Sequence, residues 1–237
     1  MVAVLSDIHS NREALEAVIA DMGPVDYVIC LGDMVGYGPD PVHCLELVRG
    51  SGWPCLMGNH DFGCVDTTSW TWFGEVAGEA LRWTRSRLSD PHLAWLAGLP
   101  RTFKHQDALC VHGSPRSPLY EYIDSPTVAL EALRHIGSGL CFHGHTHVSG
   151  MHVLQGAKPV FLRGRGMMAI PAGPVLVNPG SVGQPRDGIA GAAYLLWEPE
   201  GRLITFKRVA YRVGVTRDKI VAAGLPPMLA DRLLVGS

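Results

Sequence analysis

The sequence is poor in charge and favours neither sign. Only 18% of its residues are charged, and 20 bases against 22 acids leave a formal net charge of -2. Proteins that gather long nucleic acid or settle on anionic membranes by their overall field need a basic surplus. Neither partner is expected here. None of the six cysteines, at 30, 44, 55, 64, 110 and 141, forms a C-x-x-C pair, so the common thiolate metal and redox motifs are absent. Cys30, Cys110 and Cys141 lie in apolar runs, where a free thiol acts as a small hydrophobe. The opening MVAVLSDIHS lacks a basic flank and meets an acid at Asp7, so neither a signal peptide nor a membrane span is expected. Low-complexity segments, long linkers and charge blocks are also missing. The expectation is a reduced, cytoplasmic chain forming a single domain over 1–237, with 47% hydrophobic residues to build its core.

What is present alternates between two periods. VAVLS (2–6) reads as a buried strand and NREALEAVIADM (11–22) as a helix. DYVICL (26–31), PVHCLELVRGSG (41–52) and PCLM (54–57) continue as strand, helix and strand. This rhythm predicts parallel βαβ units and an α/β fold. Residues 70–97, with tryptophans at 70, 72, 83 and 95, read as helical and well buried. Strands are expected at 102–106, 108–112 and 140–143, with a helix near 126–136 between the last two. From about 149 short apolar runs and turns predict a β-rich half, packed as a second sheet on the first. A short helical tail follows over 215–235.

Each strand of the first series runs into a residue suited to hold a metal. VAVLS leads to Asp7-Ile8-His9, DYVICLG to Asp33 and PCLMG to Asn59-His60-Asp61. ALCV leads to His112-Gly113, and LCFHG to His145-Thr146-His147. Sites in open α/β sheets form at the carboxyl ends of strands, so Asp7, His9, Asp33, Asn59, His112, His145 and His147 are expected to converge. Carboxylate, imidazole and amide oxygen without thiolate suit Mn, Fe, Zn or Ni. Within Asp7-x-His9 and His145-x-His147 an extended backbone would aim both side chains the same way. Glycines at 32, 58, 113 and 144 let the loops crowd together.

Taken together, DIH (7–9), GD (32–33), GNHD (58–61), VHG (111–113), GHTH (144–147) and NPGSVGQPRDG (178–188) resemble the calcineurin-like metallophosphoesterase superfamily, in its small prokaryotic branch. The resemblance implies two packed, mixed β-sheets flanked by helices. It implies two divalent ions, Mn above the others: Asp7, His9 and His147 for the first, Asn59, His112 and His145 for the second, and Asp33 bridging. It also implies attack on phosphorus by a hydroxide shared between the ions, with His60 beside the substrate as general acid and Asp61 or another acid orienting it. The substrate class implied is a small phosphodiester, cyclic nucleotide or related nucleotide ester. A phosphomonoesterase or dinucleoside polyphosphate hydrolase is the alternative, and a non-catalytic metal-binding scaffold comes after both.

The departures narrow this. Protein phosphatases of the superfamily carry G-D-x-V-D-R-G and G-N-H-E, whereas this chain has GDMVGYGPDP (32–41) and GNHD. Its Gly-Tyr-Gly-Pro reads as a tight turn or the wall of a small-molecule pocket. For the substrate phosphate the candidates are Asn11 and Arg186, with Arg116 and then Arg163 and Arg165 behind them, because a guanidinium grips phosphate oxygens in a fork. Asn11 is equally suited to cap the helix at 11–22. His43, His92 and His135 read as surface residues, and His143 as a supporting or core residue.

Overall fold

The computed structural model describes residues 1–237. It opens as the sequence predicts, with β1 (Val2–Leu5), α1 (Arg12–Met22), β2 (Tyr27–Cys30) and α2 (Pro41–Gly50), β1 and β2 being parallel neighbours. The strand expected at 54–57 shrinks to one bridge between Cys30 and Cys55. The chain turns there into an unanticipated helix, α3 (Asn59–Val65), whose first residue is Asn59. The block expected over 70–97 is three pieces: a 3-10 turn (Thr67–Trp72), α4 (Glu75–Arg87) and α5 (Asp90–Ala97). Trp72 is not buried there but 66% exposed.

Then follow β3 (Thr102–His105), β4 (Ala108–Val111), α6 (Pro126–Ile136) and β5 (Leu140–Phe142). Six more strands complete the sheets: β6 (Gly150–Gln155), β7 (Lys158–Arg163), β8 (Gly166–Ala169), β9 (Val175–Asn178), β10 (Ala192–Glu198) and β11 (Leu203–Val209). The tail is α7 (Val213–Ala222), α8 (Pro227–Asp231) and a final 3-10 turn (Arg232–Leu234).

One sheet runs β2-β1-β10-β11-β8, the other β3-β4-β5-β9-β6-β7. The β-rich half therefore does not form a second sheet of its own. It splits, β10 pairing antiparallel with β1 and β9 parallel with β5. β1 and β5 thereby gain a second neighbour, so neither is an edge of its sheet.

Alternation along the strands explains the layers. Val2 and Val4 of β1 face the other sheet, joining Phe142, Val175, Val177, Leu195, Trp197 and Ile204 in the core between the sheets. Ala3 and Leu5 face outward onto Leu15 and Val18 of α1 and Leu45 and Val48 of α2. On the far side Ala129, Ala132 and Leu133 of α6 cover Val111, Cys141 and Leu176. Strands covered on both faces read as continuous apolar runs rather than alternating ones, as VAVL and VICL do. No helix is long and apolar enough to cross a membrane.

Candidate metal centre

The seven metal-type residues meet where the carboxyl ends of β1, β2, β4 and β5 face one another, with Asn59 supplied by the first turn of α3. The backbone that delivers them is not extended, contrary to the expectation for Asp7-x-His9 and His145-x-His147. Asp7, His9, Asp33, His145 and His147 have φ of 56, 47, 54, 66 and 60°, the left-handed region that Asp and His enter more readily than most residues. Strain of that kind persists only where surroundings fix it. Here Asp7 N donates to Gly32 O at 3.0 Å, and His9 N donates to Asp33 O at 2.9 Å. Two glycines permit the crowding. A Cβ on Gly58 would lie 2.1 Å from Asp33 Oδ1, and one on Gly144 would lie 1.9 Å from Ser6 Oγ and 2.7 Å from Asp7 Oδ2.

The ring nitrogens are sorted by their backbone partners. Nδ1 of His9, His112 and His147 faces the carbonyls of Val35 (3.0 Å), Leu31 (3.0 Å) and Gln184 (2.6 Å). Each Nδ1 therefore carries the hydrogen and each Nε2 turns inward. For His145 the roles reverse, since Nε2 faces Tyr120 O at 3.3 Å.

The inward atoms form two sets, Asp7–His9–His147 and Asp33–His112–His145, and His9, Asp33 and His60 form a third grouping between them. Asp33 Oδ2 lies 3.7 Å from His9 Nε2 and 3.4 Å from His112 Nε2, so it faces both sets. Asn59 Oδ1 is 3.1 Å from His112 Nε2.

This donor chemistry fits cations. Asp7 Oδ2 accepts from His145 N and Asp33 Oδ1 from His60 N, while Asp7 Oδ1 and Asp33 Oδ2 are buried with no hydrogen bond at all. His9 Nε2 and His147 Nε2 stand 3.1 Å apart. Burial holds both rings below their ordinary range, hence neutral, although Asp33 pulls His9 upward and Asp7 pulls His147 upward. Two facing lone pairs repel unless a positive ion lies between them. Burial opposes ionisation of Asp7 and Asp33, but the neighbouring histidines win and hold both carboxyls low. Burial would lower His112 as well; Asp33 beside it pushes it up to about 9. A metal-free centre thus takes a proton where the chemistry favours a metal.

His60 sits just outside the sets. Its ring packs against His9 (5.0 Å), Tyr37 (4.4 Å) and Phe73 (5.0 Å), and its Nδ1 is buried without a partner. Burial brings it down to about 4, against the pull of Asp33. No acid orients this ring. Asp61, the named candidate, turns away and accepts four backbone N–H groups, from Asp33, Met34, Val35 and Gly58. Burial and the charge of Asp33 push Asp61 up to about 7, opposed by those amides.

The Gly-Tyr-Gly stretch is part of the site, a role its sequence alone left between turn and pocket wall. Gly36 (φ 90°) leaves space that a Cβ would fill 2.5 Å from His60 Nδ1, and Tyr37 packs at 4.7 Å on His9. Tyr122, which no motif marks, stacks on His145 at 3.6 Å.

Two cavities flank the centre and share Tyr122 as a wall. One, of about 480 Å³, is lined by Asn59, His60, Trp72, Phe73, Tyr120 and His145. The other, of about 420 Å³, is lined by His143, Thr146, His152, Phe161, Asn178 and Arg186.

The remaining candidates separate clearly. Asn11 caps α1, accepting from Ala14 N and Thr216 Oγ1 and donating to Gly183 O and Tyr211 Oη. Both of its N–H donors and its Oδ1 are engaged by protein, so the expectation of a substrate contact gives way to that of a scaffold residue. Arg186 lies beside the centre, its guanidinium 5.6 Å from the Tyr37 ring centroid. Arg116 is spent on Glu121 and Glu131, and Arg163 on the Asp187 carbonyl. His143 is buried against Gly144 O and Asn178 Nδ2, a supporting position. His43 and His92 face Glu16 and Glu46 on the outer helices.

Known proteins match this chain in sequence and in overall fold. A sequence model of the calcineurin-like phosphoesterase superfamily domain matches residues 1–201. An uncharacterised protein of Methanocaldococcus jannaschii is 35% identical over 244 residues, covering 100% of this chain and 98% of that protein. The crystal structure of a metallophosphoesterase from Sphaerobacter thermophilus superposes with a TM-score of 0.89 at 39% identity, covering 100% of this chain and 99% of that one. A hypothetical protein from Pyrococcus horikoshii shares the fold at a TM-score of 0.82 and 20% identity, covering 100% and 99%. With its two mixed sheets, flanking helices and whole-length likeness to these proteins, the chain belongs to the calcineurin-like phosphoesterase superfamily.

Proposed function

We propose that this protein is a dimetal phosphoesterase that hydrolyses small phosphodiesters with nucleotide-like substituents. The observation that carries the reading is the pair of buried donor sets facing a shared Asp33, each carboxylate keeping one oxygen free of hydrogen bonds. Asp7, His9 and His147 would hold one ion and Asn59, His112 and His145 the other, with Asp33 placed to serve both. Two such cations polarise a phosphoryl group and lower the pKa of bound water; Mn suits the oxygen and imidazole donors.

The chain's own part is positioning and proton transfer. Backbone carbonyls fix three rings with Nε2 inward, so the sets are formed before substrate arrives. His60 is neutral when the site is free of substrate. An anionic ester beside it favours its protonated form, and it then delivers that proton to the departing oxygen. Arg186 stands beside the centre, against Tyr37, as a contact for phosphate oxygens of the substrate beyond the scissile bond. Cavities on both sides of the centre give room for two substituents, which favours a diester over a monoester. The walls of Trp72, Phe73 and Tyr120 suit a flat ring on one of them. Six cysteines, all buried and unpaired, suit a cytoplasmic setting, and we read the whole chain as one catalytic domain.

The test is hydrolysis of a chromogenic phosphodiester and its matching monoester with added Mn, using Asp33→Ala as background. The diester is expected to be cleaved faster, with loss of turnover in the variant. Faster cleavage of the monoester would replace the diesterase reading, and equal rates in Asp33→Ala would remove the bridging role.

A further inference from the structure

Arg186 has a neighbour that no motif announces. Arg232, in the last turn of the chain and beyond the stretch matched by the family, reaches the same side-chain amide. Gln184 Oε1 accepts from Arg186 Nη2 at 2.8 Å and from Arg232 Nη1 at 3.3 Å. Neither guanidinium has a carboxylate within ion-pair distance, although Arg12, Arg116, Arg208 and Arg217 all do. Both Nε atoms are buried without a hydrogen-bond partner. Two like charges are thus held side by side, half-buried, with donors to spare. Burial and the charge of Arg186 both bring Arg232 below its ordinary range.

The fold holds them there. Leu225, Leu229, Ala230 and Leu233 pack with Ala80 and Ile220, and Tyr37 lies against the same cluster. Anchoring Leu229 and Leu233 turns the intervening Arg232 towards the 184–188 loop, which is tied to the tail by Gly188 N donating to Gly236 O at 2.8 Å. Both arginines line one pocket with Tyr37 and Glu75. Gln184 also ties the pair to the centre, since its backbone carbonyl fixes His147 Nδ1 at 2.6 Å.

We propose that Arg186 and Arg232 form an anion subsite beside the metal centre, which takes a second phosphoryl group carried by the substrate. The pair uses the chemistry that suits phosphate: planar forks, permanent charge and spare N–H donors. It lies on the Tyr37 side of the centre, so the scissile group and a further phosphoryl group on one substituent engage different residues. Calling this ligand a substrate rests on the hydrolase reading above; the anion subsite itself does not.

The test is calorimetric titration of the chelator-treated, dialysed protein with pyrophosphate and with orthophosphate. The wild type is expected to prefer pyrophosphate. Arg232→Gln is expected to weaken pyrophosphate binding roughly 10- to 100-fold, the span of one charged hydrogen bond, and to erase the preference. Arg217→Gln removes the same charge from the same tail outside the pair, at an exposed residue already paired with Asp231 at 3.7 Å, and is expected to leave the affinity within about twofold, since an exposed and paired charge is screened. Arg232→Lys keeps charge and packing but not the fork, so it should lie between and guard against a folding defect. Unchanged pyrophosphate affinity in Arg232→Gln, an equal loss in Arg217→Gln, or no preference in the wild type would overturn the subsite. If the Mn-loaded protein cleaves no phosphate ester while pyrophosphate binding still depends on Arg232, the hydrolase reading fails and the subsite stands.

Discussion

Asp61→Asn tests the frame of the metal centre without touching a metal-type residue. Asp61 is fully buried. Its Oδ2 accepts from Asp33 N at 2.8 Å and Gly58 N at 3.0 Å, and its Oδ1 accepts from Met34 N at 3.0 Å and Val35 N at 3.2 Å. Asparagine keeps one acceptor oxygen, and its NH₂ must point at the other two N–H groups. Two hydrogen bonds to a charged acceptor are lost, worth about 1.5–3 kcal/mol each, so the variant should lose about 3–6 kcal/mol. That is a large part of the stability of an ordinary domain, about 5–15 kcal/mol. For a chain of this length it corresponds to a melting temperature lower by roughly 6–24 °C. The same N–H groups belong to the loops that carry Asp33 and Asn59, so the Mn-dependent rise in melting temperature should shrink as well. Melts at pH 8, with and without Mn, read both effects. A stability change under about 1 kcal/mol, with the Mn response intact, would refute the clamp.

Metal binding should release a proton. His112 is raised to about 9 in the metal-free centre, so its proton stabilises the metal-free protein fully below the ordinary value of 6.5, and that contribution is lost as pH rises through about 9. Between those limits a cation at Nε2 must displace the proton, and affinity for Mn should rise about tenfold per pH unit; a pH-independent affinity between pH 7 and 9 would contradict the assignment. Gly144→Ala places a methyl group 1.9 Å from Ser6 Oγ and 2.7 Å from Asp7 Oδ2. Overpacking of this kind costs about 1–3 kcal/mol, and Mn titration should show weaker binding, whereas wild-type affinity would mean the loop yields freely.

Much of the centre was legible in the sequence because strand ends and ligands coincide along the chain. Asp7, Asp33, His112 and His145 each follow an apolar run, and the sheet then does the gathering. What failed was local. Asn59 follows a bridge rather than a strand, because its segment turns at once into α3. The pairs around Ile8 and Thr146 are left-handed rather than extended, held so by bonds to loops distant in sequence. Asp61 was a candidate partner for His60, and only its contacts with Asp33, Met34 and Val35 identify it as a loop clamp.

The sequence by itself determined the layers and the chemistry: buried strands from continuous apolar runs, and metal-type side chains from their identity. Tertiary structure decided which strands share a sheet, since β1 and β10 are joined by pairing across most of the chain's length. It also decided the companions of the site. Tyr122 and Arg232 carry no motif, and they reach the centre only because a loop folds over His145 and the tail packs against the 184–188 loop. Local spacing specifies a side chain's direction along its own element, but contacts between elements far apart in sequence are fixed by the packing of the whole core.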